Sequence, residues 1–197
     1  MFIKDWKKEI FTIPNLLSMF RLVLIPIYIA IYLNAQSSAD YYLAAGILAV
    51  SCLTDLIDGK IARHFNMISS FGKLLDPVAD KATQFTLIIC LTIKYNVLWY
   101  LIVLFVLKES FQLIAGGISL RKGRMLKGAL ISGKVCTTIL FVSLILMVML
   151  PNLSLKTVTI FTIVDAVFML IAFAEYVFAY FCKDSVFQPI DQKSKKE

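Results

Sequence analysis

The chain has 197 residues, 59% of them hydrophobic, a mean hydropathy of +0.82 and a formal net charge of +7. No soluble domain is this apolar, so the composition excludes one and implies an integral membrane protein. The positive charge requires no nucleic-acid partner, because basic loops beside a bilayer attract anionic head groups.

In chain order, residues 1–12 come first, with Phe2, Ile3, Trp6 and Ile10 apolar and Lys4, Lys7 and Lys8 charged. They lack the long apolar core of a signal peptide and predict an interfacial amphipathic helix. Six membrane spans follow: Leu16–Leu33, Tyr41–Ile57, Pro77–Tyr95, Val97–Leu120, Leu130–Leu150 and Leu155–Phe181. Residues 183–197 form a polar tail. The expected fold is therefore all-α, a single membrane domain over residues 1–197.

The charges set its orientation. Lys60, Arg63 and Lys73 fall between spans two and three, and Arg121, Lys122, Arg124 and Lys127 between spans four and five. The opposite loops offer only Lys94 and Lys156. Under the positive-inside rule the basic loops and both termini face the cytosol of a multi-pass cell-membrane protein. Cys52, Cys90, Cys136 and Cys182 lack the spacing of a zinc site and read as packing residues. Trp99, Tyr100 and Tyr176 read as interfacial anchors.

Between the second and third spans the chain carries D-x2-D-G-x2-A-R-x8-G-x3-D-x3-D, formed by Asp55, Asp58, Gly59, Ala62, Arg63, Gly72, Asp76 and Asp80. Three- and four-residue spacings put each pair of acids on one helical face. Four clustered carboxylates repel one another unless cations join them. Hard oxygen ligands in this number suit Mg2+ or Mn2+, whose usual co-ligands are substrate phosphates, so the substrate is expected to carry a diphosphate. Gly59 and Ala62 clear side-chain bulk after Asp58, Arg63 adds a cation, and Gly72 begins a second small-residue approach. Pro77 suits the first turn of the third span.

At all eight fixed positions this pattern resembles the signature of the CDP-alcohol phosphatidyltransferases. The resemblance implies that Asp55, Asp58 and Asp76 hold two divalent cations, Asp58 and Asp76 bridging them, with Asp80 completing the second metal's shell and acting as general base. It also implies that Asp55, Gly59, Ala62, Arg63 and Gly72 meet the CDP and diphosphate of CDP-diacylglycerol, and that the enzyme is a homodimer. Pro14 to Arg21 is similar to the P-N-x2-[ST]-x2-R opening of the bacterial phosphatidylglycerophosphate synthase branch, which implies glycerol 3-phosphate as acceptor and Asn15, Ser18 and Arg21 near it. Ser132-Gly133-Lys134 with Thr137 and Thr138 is similar to a further segment of that branch. Lys134, with Arg121 and Arg124 from the preceding loop, would meet an anionic acceptor. Two departures stand out: Lys108-Glu109 replaces an Arg-Glu pair, and Gly116-Gly117 stands where a further Arg is usual. The chain also resembles the cardiolipin synthases that use CDP-diacylglycerol, whose acceptor is phosphatidylglycerol.

Plainer roles compete at several positions. Arg21, Lys81 and Lys134 lie where long side chains can snorkel to the interface. Lys108 and Glu109 can simply pair, Asp165 and Glu175 can serve helix packing, and His64 can be a loop residue. Gly116 and Gly117 read as a close helix contact. Two readings compete for the whole chain: a small cation-coupled transporter, which would place its acids near the bilayer midplane, and an inactive scaffold.

Overall fold

A computed structural model describes residues 12–64, 72–122, 124–126, 130–182 and 187–189. Six α-helices run through them: α1 (Ile13–Leu33), α2 (Ser38–His64), α3 (Gly72–Lys94), α4 (Trp99–Arg121), α5 (Ile131–Met149) and α6 (Leu155–Cys182). A short 3-10 turn, Asn96–Leu98, leads into α4. The proposed interfacial helix before residue 12 lies outside the described residues.

Local chemistry accounts for the helix ends. Thr12 is extended at the start of α1, with Pro14 in the first turn where its missing N–H costs nothing. Asn34 closes α1, its side-chain amide donating to the Ala30 carbonyl at 2.7 Å. Ahead of α2, the Asp40 carboxylate accepts from the N–H groups of Gln36 and Ser37 at 3.0 and 2.9 Å, while the Ser37 hydroxyl accepts from the Asp40 N–H. This reciprocal cap fixes the turn between α1 and α2. Ser154 caps α6 in the same way, accepting from the Thr157 N–H.

Four helical stretches are long and apolar enough to cross a membrane among the described residues: Asn15–Leu33, Asn96–Arg121, Ile131–Met149 and Leu155–Cys182. Six were expected. In α2 the apolar part is the shorter Ser38–Thr54, and α3 opens with Lys73, Asp76, Asp80 and Lys81 in its first ten residues. The second and third helices thus carry the acidic motif at the expense of span length. Further differences follow from the same segment. α2 continues to His64, so Lys60 and Arg63 extend a helix rather than a loop, and α3 begins at Gly72, so Pro77 lies inside the helix and removes one backbone hydrogen bond there.

The chain contacts divide into two compact units, Met1–Lys94 with Leu144–Leu153, and Tyr95–Ser143 with Ser154–Glu197. In the first unit α1 packs against both α2 and α3. Its core holds Tyr28, Leu48, Leu87, Ile88 and Leu91, and the fully buried Ala44 and Ala79 let backbones approach closely. Lys94 donates to the Pro151 carbonyl at 2.6 Å and stands 4.4 Å from the centre of the Tyr41 ring, so this lysine secures a loop.

In the second unit α4 packs on α6 through Leu101, Phe105, Val158, Met169 and Ala172, with Phe111 edge-on to Phe173 at 5.3 Å. Gly133 is pressed against Tyr176: a Cβ there would lie 2.6 Å from the tyrosine hydroxyl. Tyr176 is therefore a buried packing residue and not an interfacial anchor, whereas Trp99 and Tyr100 are exposed. Gly117 faces open space and Gly116 meets only ordinary contact with Tyr180, so neither glycine is required by a close approach within this chain. The all-α expectation needs one amendment. Arg124–Leu126 pairs antiparallel with Phe187–Pro189, Arg124 opposite Pro189, so part of the expected tail returns as a strand beside the α4–α5 connection.

Candidate active site

Three polar residues interrupt the apolar face of α1 at three-residue intervals, and all are buried: Asn15, Ser18 and Arg21. A buried polar group is costly without a partner, and a buried charge far more so. The partners come from α3. The Ser18 hydroxyl donates to Asp76 Oδ1 at 2.5 Å, and Arg21 Nη1 donates to Asp80 Oδ1 at 2.5 Å. The two pairs occur in the same order on both helices, so α1 and α3 run in the same direction, as the first and third of an alternating set must. A step of three residues on α1 and four on α3 rises by about 4.5 and 6 Å, near enough for both pairs to form at once.

Burial divides the partners unequally. The Arg21 side chain is 3% exposed and that of Asp80 is 47% exposed. The donors are sunk in the helix interface and the carboxylates stand half open, held from behind and presented outward. That arrangement suits ligand binding better than it suits stability, since a half-exposed ion pair contributes little. Arg21 is thus not a snorkelling anchor: its guanidinium is buried and bonded to an acid of the motif. Sequence reasoning separated the two groups because nothing in linear spacing joins residues 58 and 59 positions apart.

The remaining motif residues have definite places. Asp55, Asp58, Gly59, Ala62 and Arg63 lie on the last turns of α2, the helix that packs beside α1, and their side chains lie outside the described residues. Gly72 is the buried first residue of α3. Among the described residues no three metal-binding side chains gather, and of the four acids only Asp76 and Asp80 have described side chains.

The expected acceptor residues divide between the units. Asn15, Ser18 and Arg21 are in the first. Arg121, the exposed last residue of α4, is in the second with Arg124, whose backbone opens the short strand pair, and Lys134. Lys134 is exposed on the first turns of α5, and its carbonyl accepts from the hydroxyls of Thr137 and Thr138 at 2.9 Å each. Lys108 is buried and bonded to the neighbouring Glu109 at 2.7 Å, the pairing a buried ammonium needs. Asp165 is buried on α6 and accepts from Ser143 on α5, while Glu175 is exposed. The serine partner had no sequence signal, since one hydroxyl in an apolar helix resembles any other.

The geometry therefore offers paired carboxylates on adjacent turns of α3 with a buried arginine behind them. A sequence profile for CDP-alcohol phosphatidyltransferases matches residues 11–178, spanning this site and nearly the whole helical region. The chain belongs to this family. It is similar to a Streptomyces coelicolor protein named cardiolipin synthase (CMP-forming), 36% identical over 118 residues, covering 58% of this chain and 54% of the relative. It is similar also to the Escherichia coli K12 CDP-diacylglycerol–glycerol-3-phosphate 3-phosphatidyltransferase, 37% identical over 89 residues, covering 45% and 48%. A Mycobacterium tuberculosis probable phosphatidylglycerophosphate synthase is 32% identical over 105 residues, covering 52% and 50%. The chain spans about half the length of these curated relatives. Family membership bears out the resemblance read from the aspartate pattern.

Proposed function

We propose that this protein transfers the phosphatidyl group of CDP-diacylglycerol to glycerol 3-phosphate, releasing CMP, with the reaction at the cytosolic edge of a six-span bundle in a bacterial cell membrane. The observation that carries the reading is the pair of half-open carboxylates, Asp76 and Asp80, anchored by Ser18 and Arg21 within the complete eight-residue motif. A transporter would keep its acids near the midplane, whereas these sit at the starts and ends of their helices.

The donor set fits hard divalent cations, because Asp76 and Asp80 offer only carboxylate oxygens one turn apart on α3 and remain half exposed. Asp55, Asp58, Asp76 and Asp80 would hold Mg2+ or Mn2+, two ions by the family pattern. Such ions neutralise a diphosphate and stabilise a departing nucleotide phosphate. The chain's own residues do the rest. Asp80 takes the proton of the incoming hydroxyl, with Arg21 fixing one of its oxygens so that the carboxylate meets the alcohol in a set orientation. Ser18 does the same for Asp76. Gly59 and Ala62, without bulk, let the cytidine lie against α2, and Arg63 supplies a cation for the diphosphate. Orientation and charge neutralisation supply most of the barrier reduction in phosphoryl transfer.

The second reading is phosphatidylglycerol as acceptor. It is favoured by similarity to proteins named cardiolipin synthases, including a probable one from Drosophila melanogaster, 39% identical over 115 residues. The absence of an Arg at Gly116-Gly117 favours it too, since a free phosphate loses a bidentate partner there. The test is CMP release by purified protein from CDP-diacylglycerol and Mg2+ with each acceptor in turn. Turnover with glycerol 3-phosphate supports the first reading, turnover with phosphatidylglycerol alone the second, and cation flux into vesicles without CMP overturns both.

A further inference from the structure

Between α1, α2 and α3 lies a small, partly open hollow with room for about one water-sized group. Its floor is Leu24, Tyr28, Leu48, Ser51, Thr83 and Leu87, all buried, and its rim includes the half-exposed Ile25, Ile47 and Thr86. Tyr28 is 2% exposed and stacked on Tyr32 at 5.6 Å, and its hydroxyl meets no hydrogen-bond partner among the described residues. Thr83 spends its hydroxyl on the Ala79 carbonyl at 2.9 Å. A buried O–H without a protein partner costs stability, and a hydrogen-bond acceptor entering the hollow would offset that cost.

The position of the hollow says which visitor. Leu24 and Tyr28 lie one and two turns beyond Arg21 on α1, Thr83 and Leu87 the same beyond Asp80 on α3, and Ser51 one turn before Asp55 on α2. The hollow therefore starts about one helical turn, roughly 5 Å, to the lipid side of the carboxylates. In a nucleotide-activated diacyl lipid the first ester carbonyl hangs a few bonds below the diphosphate, a reach of about the same length. We infer that the hollow is a subsite for an ester carbonyl of the lipid donor, with Tyr28 Oη donating to the carbonyl oxygen while the acyl chains stay outside in the bilayer. This rests on the phosphatidyl-transfer reading and adds to it a contact that tells ester-linked from ether-linked lipid. An ether offers no carbonyl, and its substrate would leave the Tyr28 hydroxyl unmatched.

The test compares CDP-diacylglycerol with its dialkyl ether analogue in the full-length protein, reading KM for each lipid from CMP release. Wild type is expected to favour the ester by about five-fold, the effect of one neutral hydrogen bond. Tyr28→Phe is expected to bring the two KM values together by raising KM for the ester lipid. Ser51→Val, which fills the hollow from α2 and leaves Tyr28 in place, is expected to do the same and serves if the first variant does not fold. Retention of the ester preference in a folded variant overturns the subsite, assigning the hollow to a trapped water, while the transfer reading stands. Wild type that releases CMP from neither lipid overturns both.

Discussion

Arg21 separates two accounts of the same residue, as an acceptor contact and as the group that orients Asp80. Its guanidinium is buried and bonds Asp80 at 2.5 Å. A charge-assisted bond of this kind contributes about 1.5–3 kcal/mol when enclosed, and the half-exposed acid halves that to about 0.8–1.5 kcal/mol. Arg21→Gln keeps much of the volume and removes the charge, so purified protein should melt about 2–6 °C lower. The larger effect falls on turnover: a carboxylate displaced by about an ångström costs up to about 100-fold, so kcat should fall about 10- to 100-fold. Arg21→Lys keeps the charge without the fork and should recover part of kcat. Initial-rate kinetics of CMP release decide the matter. If Arg21→Gln raises KM for the acceptor and leaves kcat intact, Arg21 binds acceptor and the orienting role is refuted.

Other expectations follow from single contacts. Gly133→Ala drives a methyl to 2.6 Å from the Tyr176 hydroxyl and should cost about 1–3 kcal/mol in thermal unfolding; Tyr176→Phe in the same chain should return part of that loss. Ser143→Ala removes the donor to buried Asp165 and should destabilise by about 1–3 kcal/mol, whereas Asp165→Asn, which keeps an acceptor for Ser143, should cost less. Backbone N–H groups of Ser37 and then Gln36 hold the Asp40 carboxyl below its usual 3.8. Because its folded value is depressed, its stabilising contribution is complete above about pH 3.8 and is lost as pH falls through the lower folded value. Melting of wild type and Asp40→Asn should differ near pH 5 and converge in stronger acid.

The relation between Asp76 and Asp80 was legible because the two acids are close in sequence and their spacing follows the helical repeat. Asp76 and Asp80 lie one turn apart on one face of α3, as four-residue spacing requires. The pairing of Ser18 and Arg21 with those acids was not legible, because registry between two helices depends on how their apolar ridges interlock and leaves no periodic trace. Helix ends were misjudged where polar residues continue a helix: α2 runs through Lys60 and Arg63 because a helix emerging from the bilayer needs no apolar face to persist. The position of Tyr176 near a span end suggests an anchor, but the bare backbone of Gly133 gives its ring a buried seat.

The most direct test puts binding and transfer side by side in Asp80→Asn. Wild type with Mg2+ should bind CDP-diacylglycerol and release CMP when glycerol 3-phosphate is added. Asp80→Asn should bind the nucleotide lipid at similar concentration and release CMP at least about 100-fold more slowly, the usual worth of a general base. Transfer at the wild-type rate by Asp80→Asn would contradict the account.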